Sequence, residues 1–208
     1  AGWQWRIPLQ HRTGNGHVYA SAFMDEEKAR DILLANLDGK PLKDPMPIRF
    51  TTGYRNAFWE KNCICVGLSS GFLEPLESTS INFIQSGIIR LLELFPAREI
   101  DPFLVTEYNA RTLAAYEHVR DFIIAHYCLN TRQDGELWRY CAHMPLPDDL
   151  AYKIELYKRR GEVILRKYDH FAEPSWIAIY HGQGLIAEAY DPLVDRVPLA
   201  TLRQLMQG

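Results

Sequence analysis

The stretch Gly67-Leu-Ser-Ser-Gly-Phe-Leu-Glu-Pro-Leu-Glu-Ser-Thr-Ser80 decides how this chain is read, because strand patterns precede it and helical patterns follow. It joins a proline-stiffened turn, the carboxylate of Glu77 and a Ser78-Thr79-Ser80 cluster that opens a helix. Downstream, Ile81, Ile84, Ile88, Leu91, Leu92 and Phe95 recur at helical spacing, and Pro96 stops the run. The first N–H groups of a helix lack internal partners and, with the helix dipole, attract anions. Capping by Ser78 or Thr79 is the ordinary reading of such a cluster. A carboxylate beside an anion-receptive backbone is an odd pairing for a structural element, and it marks a candidate site.

Upstream the pattern is mainly extended. Trp3–Leu9, His17–Phe23, Ile48–Thr52 and about Asn62–Val66 read as strands, with Asn15-Gly16 as a hairpin turn between the first two. Trp3 and Trp5 are two apart, so on a strand both indoles share one face and form a rigid aromatic wall. One helix is expected after Asp25, with Glu26 and Glu27 in its first turn and Ala29, Ile32, Leu33 and Leu37 as its apolar stripe. Gly39–Pro47, with three prolines, is a loop.

Beyond Thr79 the chain reads as helical. A long helix is expected at about Leu104–Tyr127, with Leu113, Tyr116, Val119, Phe122, Ile123 and His126 facing inward. Shorter ones follow at Leu137–Cys141 and Asp148–Arg160, the latter closed by a basic trio and Gly161. Helical turns are also expected around Trp176–Tyr180 and Leu199–Met206. The fold class is therefore α+β: antiparallel strands with a hairpin and one helix, then a mainly helical region.

Composition narrows the functional classes. A chain of 208 residues, 47% of them hydrophobic, can bury a sizeable core. A net charge of −3 gives no electrostatic reason to expect nucleic acid or an acidic membrane. No apolar run reaches the roughly 18 residues that span a bilayer. Cys63, Cys65, Cys128 and Cys141 match no metal or disulfide spacing and read as free thiols of a cytoplasmic protein. His118 and His126 lie two turns apart, too far to share an ion, so no metal site is expected.

Trp3, Trp5, Ile7 and Pro8, followed by the segment from Gly67 to Thr79, resemble the two signatures of the flavin-dependent tryptophan halogenase family. The likeness is clear over about residues 2–130 and weaker beyond. It implies the C-terminal portion of a larger FAD-dependent, monooxygenase-like halogenase fold. The family's Gly-x-Gly-x-x-Gly and its lysine lie ahead of the tryptophan signature and are not in this sequence. Gly14-Asn15-Gly16 and Gly182-Gln183-Gly184 lack the strand and helix context of that fingerprint. The chain alone is thus expected to be inactive. Residues 1–66 are expected to complete the flavin and substrate region, and 67–208 to supply a helical substrate pocket.

The resemblance further implies reduced FAD from a separate flavin reductase, oxygen, a chloride or bromide ion and an aromatic, indole-like substrate halogenated through hypohalous acid. It allows a homodimer. It makes Glu77 the active-site carboxylate, assigns halide to the backbone of Thr79 and Ser80, and places Leu68 and Ile81 against the flavin. Trp3 and Trp5 become a wall keeping substrate from the flavin, and Trp176 a candidate pocket wall. Two departures stand out. Ser80 replaces a glycine, which matters if that position needs a positive φ. The paired tyrosines that hold free tryptophan near the C-terminus are missing, where Tyr168-Asp-His-Phe171 stands instead. A hydroxylating flavin monooxygenase and a non-catalytic binding module are the competing readings.

Overall fold

The hairpin at the start of the chain forms, but its turn lies elsewhere than expected. In the computed structural model, which describes residues 1–206, β1 (Gly2–Pro8) and β2 (Thr13–Tyr19) pair antiparallel with Trp3 opposite Val18 and Trp5 opposite Gly16. The connection is Leu9–Arg12, closed by the Leu9 N–H donating to the Arg12 carbonyl at 2.8 Å. Asn15-Gly16 is inside β2, so it is not the turn. A Cβ on Gly16 would sit 2.2 Å from the Trp5 ring, so this glycine makes room for an indole laid across the ladder.

Asp25 caps α1 (Glu26–Ala35), accepting from the Lys28 N–H at 2.7 Å, and buried Ala29 faces the hairpin. The Ala29 carbonyl lies 3.0 Å from His17 Nδ1. The loop after α1 runs on through Ile48–Thr52, where a strand was expected. No strand forms there. Phe50 instead meets Phe72 edge-on at 5.1 Å and Thr52 Oγ1 donates to the Leu73 carbonyl, so side chains rather than a ladder hold the segment. Four two-residue strands follow: β3 (Gly53–Tyr54), β4 (Trp59–Glu60), β5 (Cys63–Ile64) and β6 (Gly71–Phe72), with β3 paired to β6 and β4 to β5.

The rest is helical: α2 (Ser80–Glu93), α3 (Pro102–Cys128), α4 (Glu136–Ala142), α5 (Asp148–Arg160), α6 (Glu173–Gly182) and α7 (Leu199–Leu205). Gly161 closes α5 at φ 66°, its N–H donating to the Tyr157 carbonyl, as the Arg-Arg-Gly ending predicts. None of the described helices is long and apolar enough to cross a membrane. All four cysteines are free thiols.

Contacts divide the chain into two units, residues 1–113 with 132–144, and 114–131 with the chain from Pro145 on. This division follows packing; the strands run on to β6 at Gly71–Phe72, and the mainly helical part begins with α2 at Ser80. In the first unit Asn109 stitches β4 to α3: its Oδ1 accepts from the Phe58 and Trp59 N–H groups at 2.7 and 2.8 Å, and its Nδ2 donates to the Trp59 carbonyl. Trp59 meets Tyr108 edge-on at 5.6 Å. In the second unit Phe122, Ala125, Leu150, Ile154, Tyr157, Trp176 and Tyr180 form the core.

Candidate functional site

Glu77 occupies a backbone conformation that side chains avoid. It sits in a short 3-10 turn, Leu76–Ser78, at φ 68°, ψ −7°, and Ser78 follows at φ 51°. Each left-handed non-glycine residue costs about 1–2 kcal/mol. Such strain persists only where the surroundings enforce it, and it concentrates at functional turns. The Glu77 side chain is exposed, whereas Thr79 two residues on is buried. The chain therefore holds this carboxylate at the surface at a conformational cost.

The next residues start α2. Thr79 is its N-cap and makes no side-chain cap bond. Ser78 Oγ turns back to the Pro75 carbonyl instead, at 3.4 Å. Capping by these hydroxyls, the ordinary reading of the cluster, is not what forms. The positive φ angles fall on Glu77 and Ser78 rather than on Ser80, so serine at position 80 carries no backbone penalty.

Leu68 and Ile81 flank this turn, 71% and 70% exposed. Gly67, at φ 65°, lies so close to α2 that a Cβ would stand 2.8 Å from Ile84, which brings the 67–69 turn against the helix. Two exposed aliphatic side chains, a strained carboxylate turn and an uncapped helix start thus lie within fifteen residues of chain. This set suits a flat aromatic cofactor held by van der Waals contact beside an anion.

The tryptophans have distinct surroundings. Trp5 lies over Gly14 and Gly16 of its own hairpin. Trp3 lines a cavity of about 420 Å³ in the first unit with His17, Met24, Arg132, Asp134 and Trp138. Trp176 belongs to the second unit and is 1% exposed. It meets Phe122 edge-on at 4.8 Å and has Lys153 Nζ 4.8 Å above its ring, so core packing accounts for its burial. Its Nε1–H has no acceptor within the second unit's core.

Sequence reasoning missed one charged cluster in the second unit. Lys153, 2% exposed, lies 3.5 Å from Asp149 Oδ2 and 3.3 Å from Asp169 Oδ2. Asp169 also accepts from the Arg166 backbone N–H at 2.6 Å and stands 3.1 Å from His118 Nδ1. Arg166 binds Asp149 Oδ1 through Nε and Nη2 at 2.9 and 2.6 Å. Asp121 beside it is paired to Arg120 at 2.7 Å, and burial pushes its carboxyl pKa up despite that partner. Only the Asp149–Lys153 spacing, four apart on α5, could have signalled this cluster in advance.

The tryptophan halogenase family profile matches residues 1–199. Tryptophan 7-halogenase KtzQ of Kutzneria sp. (strain 744) is 36% identical over 98% of this chain and 41% of its own length. Among solved structures, BrvH, a flavin-dependent halogenase from Brevundimonas sp. BAL3, is 47% identical with a TM-score of 0.93. That match covers all of this chain and 42% of BrvH. Xcc4156, a flavin-dependent halogenase from Xanthomonas campestris, gives 47% and 0.94 with the same coverage. The chain thus spans about two fifths of the length of the relatives it matches. It belongs to the tryptophan halogenase family.

Proposed function

We propose that this chain supplies the carboxylate and halide-binding turn of a flavin-dependent halogenase acting on an aromatic, indole-like substrate in the cytoplasm. The observation that carries this reading is the strained backbone at Glu77, which keeps an exposed carboxylate immediately ahead of an uncapped helix start. Reduced FAD, delivered by a separate reductase, supplies hypohalous acid from oxygen and halide when bound.

Glu77 then acts on the ring. Electrophilic attack on an arene leaves a cationic intermediate that must lose a proton. A fixed negative charge lowers the energy of that cation, and the same carboxylate accepts the proton from the substituted carbon. The oxygen–halogen bond of hypohalous acid breaks as the carbon–halogen bond forms, and the ring proton passes to Glu77 and on to the departing hydroxide, which leaves as water. The N–H groups of Thr79 and Ser80 hold the halide by the partial positive charge of a helix start. Leu68 and Ile81 give the flavin an apolar edge. Trp3 and Trp5 act by bulk, keeping organic substrate away from the flavin.

Glu77→Gln in the full-length enzyme removes both the charge and the base while keeping the shape. Turnover with bromide, oxygen and a reductase should fall by about 10²–10⁴-fold, with FAD binding retained. Turnover near that of the unmutated enzyme would refute the role.

A further inference from the structure

Hydroxyl side chains in the first unit fall into two groups. Thr52, Ser70 and Ser86 each donate to a backbone carbonyl, at 2.6, 2.6 and 3.4 Å. Thr112 donates to the Tyr108 carbonyl at 2.7 Å and accepts from the Arg90 guanidinium at 2.8 Å. Thr79 and Ser80 differ: among the described residues neither hydroxyl has a hydrogen-bond partner. Thr79 is only 8% exposed, yet its oxygen is not sealed inside the core. A buried polar side chain left without a partner and still open at one side points to a ligand. The N–H groups of a helix start can only donate, so an anion is the ligand that they and the two hydroxyls can hold together.

The helix carrying these donors is held firmly from behind. Phe83, Gly87 and Arg90 of α2 are buried, the Arg90 guanidinium lies 5.9 Å from the Tyr108 ring centroid, and Tyr108 Oη donates to the Gly87 carbonyl. Ile81, Ile84 and Ile88 are left on the exposed side. Donors fixed in this way do not spread to suit a larger ion, so they discriminate by size.

We propose that Ser80 is a specificity-determining residue: its hydroxyl, with that of Thr79, donates to the bound halide and tilts the site toward chloride over bromide. That the anion is halide rests on the halogenase reading; the pair of unused donors does not. Chloride has the higher charge density, so each donor contributes more to holding it, and its lost hydration is harder to replace. A site of main-chain N–H groups alone separates the two ions less than one with added hydroxyls. Ser80 stands where the family signature has glycine, so its donor is an addition to that signature.

Bromide is the easier ion to oxidise, so the selectivity is read from binding rather than from product ratios. The full-length enzyme is titrated with sodium chloride and followed by chloride NMR line broadening, with bromide added as competitor. Ser80→Ala should raise the Kd for chloride about tenfold and that for bromide about threefold, because one lost charge-assisted hydrogen bond weighs more on the smaller ion. Ser80→Gly, which also lacks the hydroxyl, should match it. Ser80→Thr keeps a hydroxyl and should bind both ions within about twofold of the unmutated enzyme. Ser86→Ala, whose hydroxyl is committed to the Phe83 carbonyl, should leave both constants unchanged. A chloride Kd unchanged in Ser80→Ala and Ser80→Gly would overturn the proposal, and so would an equal rise for both ions. Chloride binding weakened as stated, with no halogenation by the unmutated enzyme, would sink the functional reading alone. Halogenation with halide binding indifferent to position 80 would sink this proposal alone.

Discussion

The Glu77 turn and the Lys153 cluster both gather charge, and they do so in opposite ways. At Glu77 the carboxylate is exposed and the backbone is strained. Around Lys153 the charge is enclosed instead: Asp169 is occupied by a lysine, a histidine and a main-chain N–H, and Tyr168 beside it also takes a left-handed φ of 73°. Charge density alone therefore does not mark chemistry. Left-handed backbone occurs at both places, so exposure of the carboxylate is what sets the Glu77 turn apart.

The sharpest way to break this contrast is Lys153→Met. It leaves Asp149 and Asp169 facing each other without their buried cation, which should cost about 3–5 kcal/mol, measured by urea unfolding of the full-length enzyme. A loss under about 1 kcal/mol would mean that water screens the cluster. The next effect is opposite in sign. Ser78→Gly should relieve left-handed strain and stabilise by about 0.5–1 kcal/mol net of the glycine's entropy. Ser86→Gly, inside α2, should destabilise by a similar amount.

Asp121 gives a smaller, pH-dependent effect. Burial raises its pKa, so the folded protein keeps the proton after the unfolded chain has lost it. Between the ordinary carboxylate value and the raised one the native state binds more protons, and stability falls as pH rises through that window. Asp121→Asn should flatten that fall, read as a shallower dependence of the unfolding midpoint on pH. The smallest change is expected from Glu77→Gln on stability, within about 0.5 kcal/mol as for other surface positions. The pairing of that near-zero with its large loss of turnover would separate chemistry from structure at Glu77.

Local signals read correctly from sequence were those whose physics is local. Asp25 before an acidic first turn and the Arg-Arg-Gly ending at Gly161 placed the ends of α1 and α5, because caps and dipoles act within one turn. Asn15-Gly16 misled because its glycine answers to the Trp5 ring across the hairpin, a contact no turn rule contains. Ile48–Thr52 has strand-forming residues but found no strand to pair with. The apolar spacing in α2 identified the helix, yet could not say which way the stripe would face. The motif located Glu77, but its positive φ is one that a glutamate's residue type disfavours.

Arg90 has one more effect. Because its guanidinium is keyed between Tyr108 and Thr112, α2 cannot roll about its axis to tuck its isoleucines away without dragging a cation out of an aromatic seat. The greasy side is thereby pinned outward from the moment the helix docks. Any stretch of synthesis or purification in which nothing covers it becomes a period of stickiness, and clumping then is a property of how the helix is fastened.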